Sequence, residues 1–174
     1  MRFTATDHHL SGVSLPVSAL RSEKSCGTGD FYDLVALGEW CVDAGLDLIQ
    51  LLPVNDTGGG ASPYSALSAY ALHPLYLRID ALPEASGFAD DIGELRRRFE
   101  PESRLQYHDV RAAKLDLLLR MFRHHASDIR RDAELALWVA ESEWIREYAA
   151  YLLLKEEHDG RAWYEWPRLR DPTP

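Results

Sequence analysis

The sequence predicts an α/β fold that opens with a strand–helix–strand unit and continues in helices alone. Three observations predict it. Residues 48–54 hold Leu48, Ile49, Leu51, Leu52 and Val54, interrupted by Gln50 and Pro53. That run is too short for a lone helix and reads as a strand buried on both faces, as in a parallel sheet. A second short apolar run lies upstream at 12–17, and between the two the apolar residues recur at helical spacing. Beyond Asp80 the periodicity is helical throughout.

Residues 1–10 carry Arg2, Asp7, His8 and His9 and no long apolar core, so no signal peptide is read there. His8-His9 reads as an exposed polar pair, because a metal site recruits further Cys, His, Asp or Glu ligands. Residues 12–17 form the first strand, and 18–29, with Ser22, Ser25, Gly27 and Gly29, form the loop at its C-terminal end. Asp30 is expected to cap the next helix, with Asp33 near its positive end. Phe31, Leu34, Leu37, Cys41 and Ala44 mark the inner face, and Gly45 supplies the left-handed stop. The order makes a βαβ unit with a right-handed crossover. Pro53 falls near the end of the second strand, where a missing N–H is tolerated.

After that strand, Asn55, Asp56, Thr57 and Gly58 to Gly60 force a loop. A loop at the C-terminal end of a parallel strand is where α/β folds keep their ligands. It runs on through Ser62-Pro63-Tyr64-Ser65 to Tyr70, His73 and Tyr76. Small residues, hydroxyls and aromatics suit a neutral hydroxylated ligand such as a sugar, since a Tyr ring packs on C–H faces while its hydroxyl bonds. A purely structural loop fits the same residues. The segment ends in a strand, YLRID, closed by Asp80.

Asp90-Asp91 begins a short helix with Ile92, Leu95 and Phe99 on one face, ended before Pro101. Arg96-Arg97-Arg98 is placed on its solvated face. Asp109 caps a stronger helix, with Val110, Ala113, Leu117 and Phe122 inward and Arg111, Lys114 and Arg120 outward. Asp128 or Asp132 begins a third, through Leu135 and Trp138. Residues 143–158 form a fourth, burying Trp144, Ile145, Tyr148, Ala149, Leu152 and Leu153 before Asp159-Gly160. In the tail, Trp163 and Trp166 suit either stacking on sugar or packing against further protein.

The whole chain has 174 residues, 46% hydrophobic and 27% charged, the composition of a globular protein. Its net charge of −9 and lack of a long basic run exclude nucleic acid and anionic membrane as expected partners. Cys26 and Cys41 lack CxxC or Cys/His spacing and read as idle thiols rather than a metal site or disulfide. No apolar run approaches the roughly 20 residues of a membrane span, so a cytoplasmic location is expected. No Walker loop, Rossmann fingerprint or Ser/His/Asp order is visible.

The wording of the loop is more specific than its composition. LLPVNDT, SPYS and LSAYALHPLYL resemble the 4-α-glucanotransferases, the amylomaltase or disproportionating-enzyme family. GVSLPVSALRSEKSCGTGDF is similar to that family's opening, and EWIREYAAYLLLKEEHDG with WYEWPRLR to a later region. The resemblance implies a (β/α)₈ barrel whose first two strands and connecting helix occupy residues 1–80, with 55–76 as the substrate-binding loop. Residues 81–174 are then an α-helical subdomain inserted after the second strand.

It also implies transfer of α-1,4-glucan segments between maltodextrins by a retaining double displacement, with no organic cofactor. Tyr64 matches the tyrosine that stacks beside the cleaved sugar, and Ser62 a neighbouring hydroxyl donor. Ser65, Ser68 and His73 belong to the same run, as substrate contacts or as holders of the loop. Retaining cleavage needs two carboxyl groups about 5–5.5 Å apart. The family carries its nucleophilic Asp, acid/base Glu and third Asp on later strands, so no residue of this chain is assigned a catalytic role. Asp30, Asp56 and Asp80 read instead as cap, turn former and strand end. A complete barrel needs about 250 residues, so the chain is expected to be an N-terminal part, inactive alone. A non-catalytic glucan-binding module and a helical interaction domain are the alternatives. Nothing in the sequence gives an oligomeric state.

Overall fold

The computed structural model describes residues 9–168. His8 of the paired histidines lies outside them, as do Leu169 and Arg170. Strand β1, Gly12–Leu15, pairs in parallel with β2, Leu48–Leu51, with Gly12 opposite Leu48 and Leu15 opposite Leu51. Helix α1, Asp33–Asp43, connects them. It ends on Gly45 at φ 68°, the left-handed stop that the sequence predicts. The βαβ unit is therefore present, with differences at its margins.

Strand β1 stops at Leu15 because Pro16 precedes a 3₁₀ turn, Val17–Ala19, which carries Val17 into the core. Helix α1 begins at Asp33, and Asp30 does not cap it. Strand β2 is open rather than buried on both faces: Leu48 is 51% exposed and Leu51 36%. Among the described residues the sheet has two strands, so each keeps an unpaired edge, and no side chain of either strand is fully buried. The expected YLRID strand is absent. Two 3₁₀ turns, Pro74–Tyr76 and Ile79–Ala81, replace it, because the N–H groups of Leu77 and Leu82 return to the carbonyls of Pro74 and Ile79.

Helix α2, Ala89–Phe99, buries Ile92, Leu95 and Phe99, the face read from its spacing. Arg96 is not purely solvated: it donates to the Lys24 carbonyl and pairs with Asp80 at 2.7 Å. Helix α3, Tyr107–Ile129, starts two residues early, leaving Asp109 inside its first turn. Its buried stripe is Val110, Lys114, Leu117 and Met121. Lys114 thus faces inward and Phe122 is 45% exposed, both contrary to expectation. The spacing of the stripe overrides the charge of one member.

Contacts divide the chain into two units, 1–125 and 126–174. The core of the first joins Val17, Cys26, Leu75 and Ile79 to Phe99 and Leu117, drawing on both sides of Asp80. In the second, Asp132 rather than Asp128 caps α4, Ala133–Glu141, its carboxylate accepting from the Glu134 and Leu135 N–H groups. Helix α5, Glu143–Glu157, matches the predicted range to a residue, but no side chain on it is buried and Leu153 is 68% exposed. Its aromatic contacts run from Trp138 to Trp144 and on to Tyr148, with ring centroids 6.4 and 6.2 Å apart. Trp166 is buried against His158 and Tyr151, whereas Trp163 is 47% exposed. Of the two tail tryptophans, Trp166 is the one that packs on protein.

Candidate functional site

The loop following β2 is built as a stem and a tip. Asn55 bridges Leu72 in antiparallel fashion, and the N–H groups of Asp56 and His73 donate to the carbonyls of Ala71 and Val54 at 2.8 and 2.9 Å. The Leu67 N–H closes further on the Asp56 carbonyl at 2.7 Å. Within the turn, the Gly58 N–H donates to the Asp56 carboxylate at 2.8 Å. Gly58 has φ 58°, and a Cβ there would stand 2.6 Å from Leu67 Cδ1, so two constraints favour glycine. The Ser65 N–H donates to the Ser62 carbonyl, which turns the chain at Pro63-Tyr64.

This arrangement gives the loop two faces. Ser62, Tyr64, Ser65 and Tyr70 lie exposed, with Tyr64 71% accessible. Ser68 is half-buried, and its hydroxyl accepts from the Tyr70 and Ala71 N–H groups, bending the chain back toward the stem. Asp56, Thr57 and His73 are buried. The sequence-predicted residues therefore separate: three hydroxyl-bearing side chains, Ser62, Tyr64 and Ser65, face outward, while Ser68 and His73 serve the backbone of the loop.

At its Thr57–His73 end the buried face meets α3 through the Tyr107 side chain. The Tyr107 hydroxyl lies 2.8 Å from His73 Nε2, 2.9 Å from Thr57 Oγ1 and 3.2 Å from the Gly58 carbonyl. Directions follow from the end members. The Leu75 N–H can only donate, so His73 Nδ1 accepts and Nε2 carries the proton. Thr57 must donate to the Gly60 carbonyl, 2.5 Å away, and so accepts from Tyr107. Burial holds the His73 pKa below its ordinary value, opposed by the Asp56 carboxylate 3.9 Å away and reinforced by Arg111 and Lys114. His73 is a neutral strut.

A second polar cluster lies under the 74–78 segment. Arg78 pairs with both Asp30 and Asp33, and Ser25 donates to Asp33 at 3.3 Å. Asp30 also accepts from the Tyr32 N–H at 2.9 Å. Lys114 donates to the Leu75 and Leu77 carbonyls at 2.6 and 2.9 Å. Burial lowers its pKa to about 8, against the pull of Cys26, Asp30 and Asp33. Cys26 is itself buried, and burial pushes its thiol above the ordinary value. The carboxylates that invite a catalytic reading are thus engaged: Asp30 by Arg78, Asp56 by the Gly58 N–H, Asp80 by Arg96. Among the described residues, no group of three His, Cys, Asp or Glu is placed to hold a metal ion. Among them too, no helix is long and apolar enough to cross a membrane.

Sequence reasoning gives Tyr107 and Arg78 no role and reads Thr57 only as a loop former. Tyr107, Val110, Lys114 and Leu117 recur at three- and four-residue steps, and a lysine inside such a stripe is the one readable sign of a buried polar contact.

The sequence profile of a family described as 4-alpha-glucanotransferase matches residues 15–174. The chain belongs to that family. It is 32% identical over 167 residues to a 4-alpha-glucanotransferase of Oryza sativa subsp. japonica, covering 91% of this chain and 18% of that protein. To a 4-alpha-glucanotransferase of Chlamydia trachomatis it is 33% identical over 161 residues, covering 90% of this chain and 30% of that one. Among solved structures, the amylomaltase from Corynebacterium glutamicum superposes with a TM-score of 0.70 at 24% identity, over 93% of this chain and 25% of the other. The amylomaltase from Streptococcus agalactiae, in complex with acarbose, gives 0.72 at 22% identity, over 92% and 32%. These likenesses show a shared fold. The chain spans 18% to 30% of the length of these two 4-alpha-glucanotransferases.

Proposed function

We propose that this chain supplies the glucan-receiving part of a 4-α-glucanotransferase that moves α-1,4-glucan segments between maltodextrins in the cytoplasm. In this reading residues 1–80 open a (β/α)₈ barrel, the 55–76 loop receives substrate, and 81–174 is the helical insertion. The observation that carries it is the exposed tyrosine: Tyr64 stands 71% accessible on a loop whose opposite face is buried, flanked by Ser62 and Ser65. An aromatic face with hydroxyls at its edge suits a sugar ring, which is apolar on its C–H faces and polar around its rim. Pro63 fixes one dihedral of the approach. Ser62 and Ser65 offer hydroxyls to the same ring, while Ser68 and His73 hold the loop.

The chemistry itself is a retaining double displacement, and its two carboxyl groups are placed outside this chain. What residues 55–76 contribute is binding and orientation. Acarbose, present in the Streptococcus agalactiae amylomaltase structure, joins maltotriose as a probe.

The test is a titration of the chain with maltotriose and with acarbose, followed through the backbone amide resonances of Ser62, Ser65 and Leu67, which every variant retains. Saturable shifts are expected, retained in Tyr64→Phe and lost in Tyr64→Ala. One stacked ring is worth about 1–3 kcal/mol, borrowing the magnitude known for bases on aromatics, so affinity falls roughly ten- to a hundredfold in the Ala variant. Equal affinity in the wild type and both variants overturns the reading, as does absence of any saturable shift in the wild type.

A further inference from the structure

We propose that Tyr107 is a positioning residue for the glucan loop, its hydroxyl clamping both ends of the loop to the first turn of α3. The proposal rests on the reading of 55–76 as the glucan site and extends it to a residue outside that loop.

The clamp is built from groups distant in sequence. Thr57 and Gly58 open the loop, His73 closes it, and Tyr107 stands 50, 49 and 34 residues away from them. The hydroxyl accepts from His73 Nε2 and donates toward Thr57 Oγ1, with the Gly58 carbonyl as a second acceptor. Thr57 passes the restraint on through its bond to the Gly60 carbonyl. Gly60 is followed within four residues by Ser62 and Tyr64. The exposed sugar-facing residues therefore hang from a stem whose two strands meet at one phenolic oxygen.

The backbone bonds of the stem do not replace this clamp. They join 54–56 to 71–73 and fix the stem to itself, whereas the Tyr107 hydroxyl fixes its buried edge to a helix. Lys114 of the same helix holds the Leu75 and Leu77 carbonyls at the far end of the segment, so removing the Tyr107 hydroxyl leaves the loop folded and loosens its Thr57–Gly60 end. His73 cannot substitute, because its other nitrogen is already occupied by the Leu75 N–H. The first residue of the helical segment after Pro101 thereby takes part in aiming the loop.

Tyr107→Phe keeps the ring, including its edge contact with His73 at 6.0 Å, and removes the hydroxyl alone. Two quantities are read on the full chain: amide exchange of Gly60, Ser65 and Leu67, and the dissociation constant for maltotriose. Exchange at the three loop amides is expected to rise about tenfold, the size implied by losing a hydrogen-bond hub. Amides of α2 and α3 keep their relative protection, and maltotriose binds about tenfold more weakly, while the melting temperature falls by only a few degrees. Thr57→Val reproduces both effects, and Thr57→Ser, which retains the hydroxyl, restores them. Unchanged loop exchange overturns the proposal. So does a uniform acceleration across α1 to α3, which makes Tyr107 a general core residue. If Tyr107→Phe does not fold, the contrast between Thr57→Val and Thr57→Ser decides by the same criteria. The exchange arm requires no ligand: wild-type protein that fails to bind maltotriose defeats the proposed function while the clamp is still judged.

Discussion

Lys114 shows at the residue scale how a charge can be read correctly by type and wrongly by place. Its ammonium ties two carbonyls, those of Leu75 and Leu77, to the middle of α3. With Arg78, Asp30 and Asp33 nearby, two cations face two carboxylates and the buried set is neutral. Burial nevertheless lowers the Lys114 pKa from 10.5 to about 8. The sign follows from proton counts. Between about 8 and 10.5 the unfolded chain binds the proton more tightly, so stability rises with pH across that window and is lost as pH falls through it. The full contribution is on the order of 3 kcal/mol. Lys114→Met should remove this rise. It should also lower stability at pH 7 by at least about 2 kcal/mol, because two buried carbonyls lose their donor and the acids lose a counter-charge. Urea titrations of both proteins at pH 7, 8.5 and 10 check this. An equally steep pH dependence in the variant, or a more stable variant at pH 7, contradicts it.

The residues of the loop divide along a similar line. Ser62, Tyr64 and Ser65 are nominated as contacts by the run SPYS, which is specific and lies after a strand, and the structure leaves all three exposed. Thr57 and His73 are also readable as loop residues, but their meeting at Tyr107 is not, since the three come together only through tertiary proximity. Asp30 illustrates the limit from the other side. A carboxylate directly after a loop glycine and before a helical run satisfies every local rule for a cap, yet Arg78, 48 residues later, takes one of its oxygens.

At the scale of elements, periodicity read the helices better than it read the sheet. Ile92, Leu95 and Phe99 recur on one face of α2 with the arginines elsewhere, and that face is buried. In β2 the apolar residues state which side chains favour burial, not whether partners are present to enclose them; Leu48 remains 51% exposed. Helix α3 provides a direct test of pattern against packing. Met121 follows Leu117 by four residues, a helical step, whereas Phe122 follows by five and lies about 140° round the helix, so the expectation of Phe122 inward put its hydrophobicity ahead of the spacing. The structure buries Met121 and leaves Phe122 45% exposed. Leu117→Ala, at a site with 0% exposure, should cost about 2–5 kcal/mol through lost transfer energy and a cavity. Met121→Ala belongs to the same range, and Phe122→Ala should cost under about 1 kcal/mol. Denaturant melts of the three single variants separate the two registers; a Phe122→Ala cost equal to that of Met121→Ala would return the stripe to the sequence-predicted one.

At the scale of the whole molecule the question is whether the chain, taken alone, turns over a glucan. Retaining cleavage asks for a nucleophilic carboxylate and a protonated carboxyl about 5–5.5 Å apart, on either side of the scissile bond. The buried acids are already committed. Asp30 and Asp33 share Arg78, and displacing either leaves a buried guanidinium short of its partner. Asp56 is buried, and its carboxylate holds the Gly58 N–H of the very loop that presents Tyr64. Asp80 is drawn away by Arg96. The exposed face of that loop offers Ser62, Tyr64 and Ser65, proposed as sugar contacts, and none of the three is a carboxyl group. Binding without a transition-state contact lowers no barrier. The purified 174-residue chain, incubated with maltotriose, is therefore expected to yield neither glucose nor longer oligomers above a blank, while the Ser62, Ser65 and Leu67 amide resonances still respond to the sugar. Product accumulating in proportion to enzyme, and abolished by Tyr64→Ala, would mean that the chain assembles a working carboxyl pair despite the ties that hold Asp30, Asp33, Asp56 and Asp80.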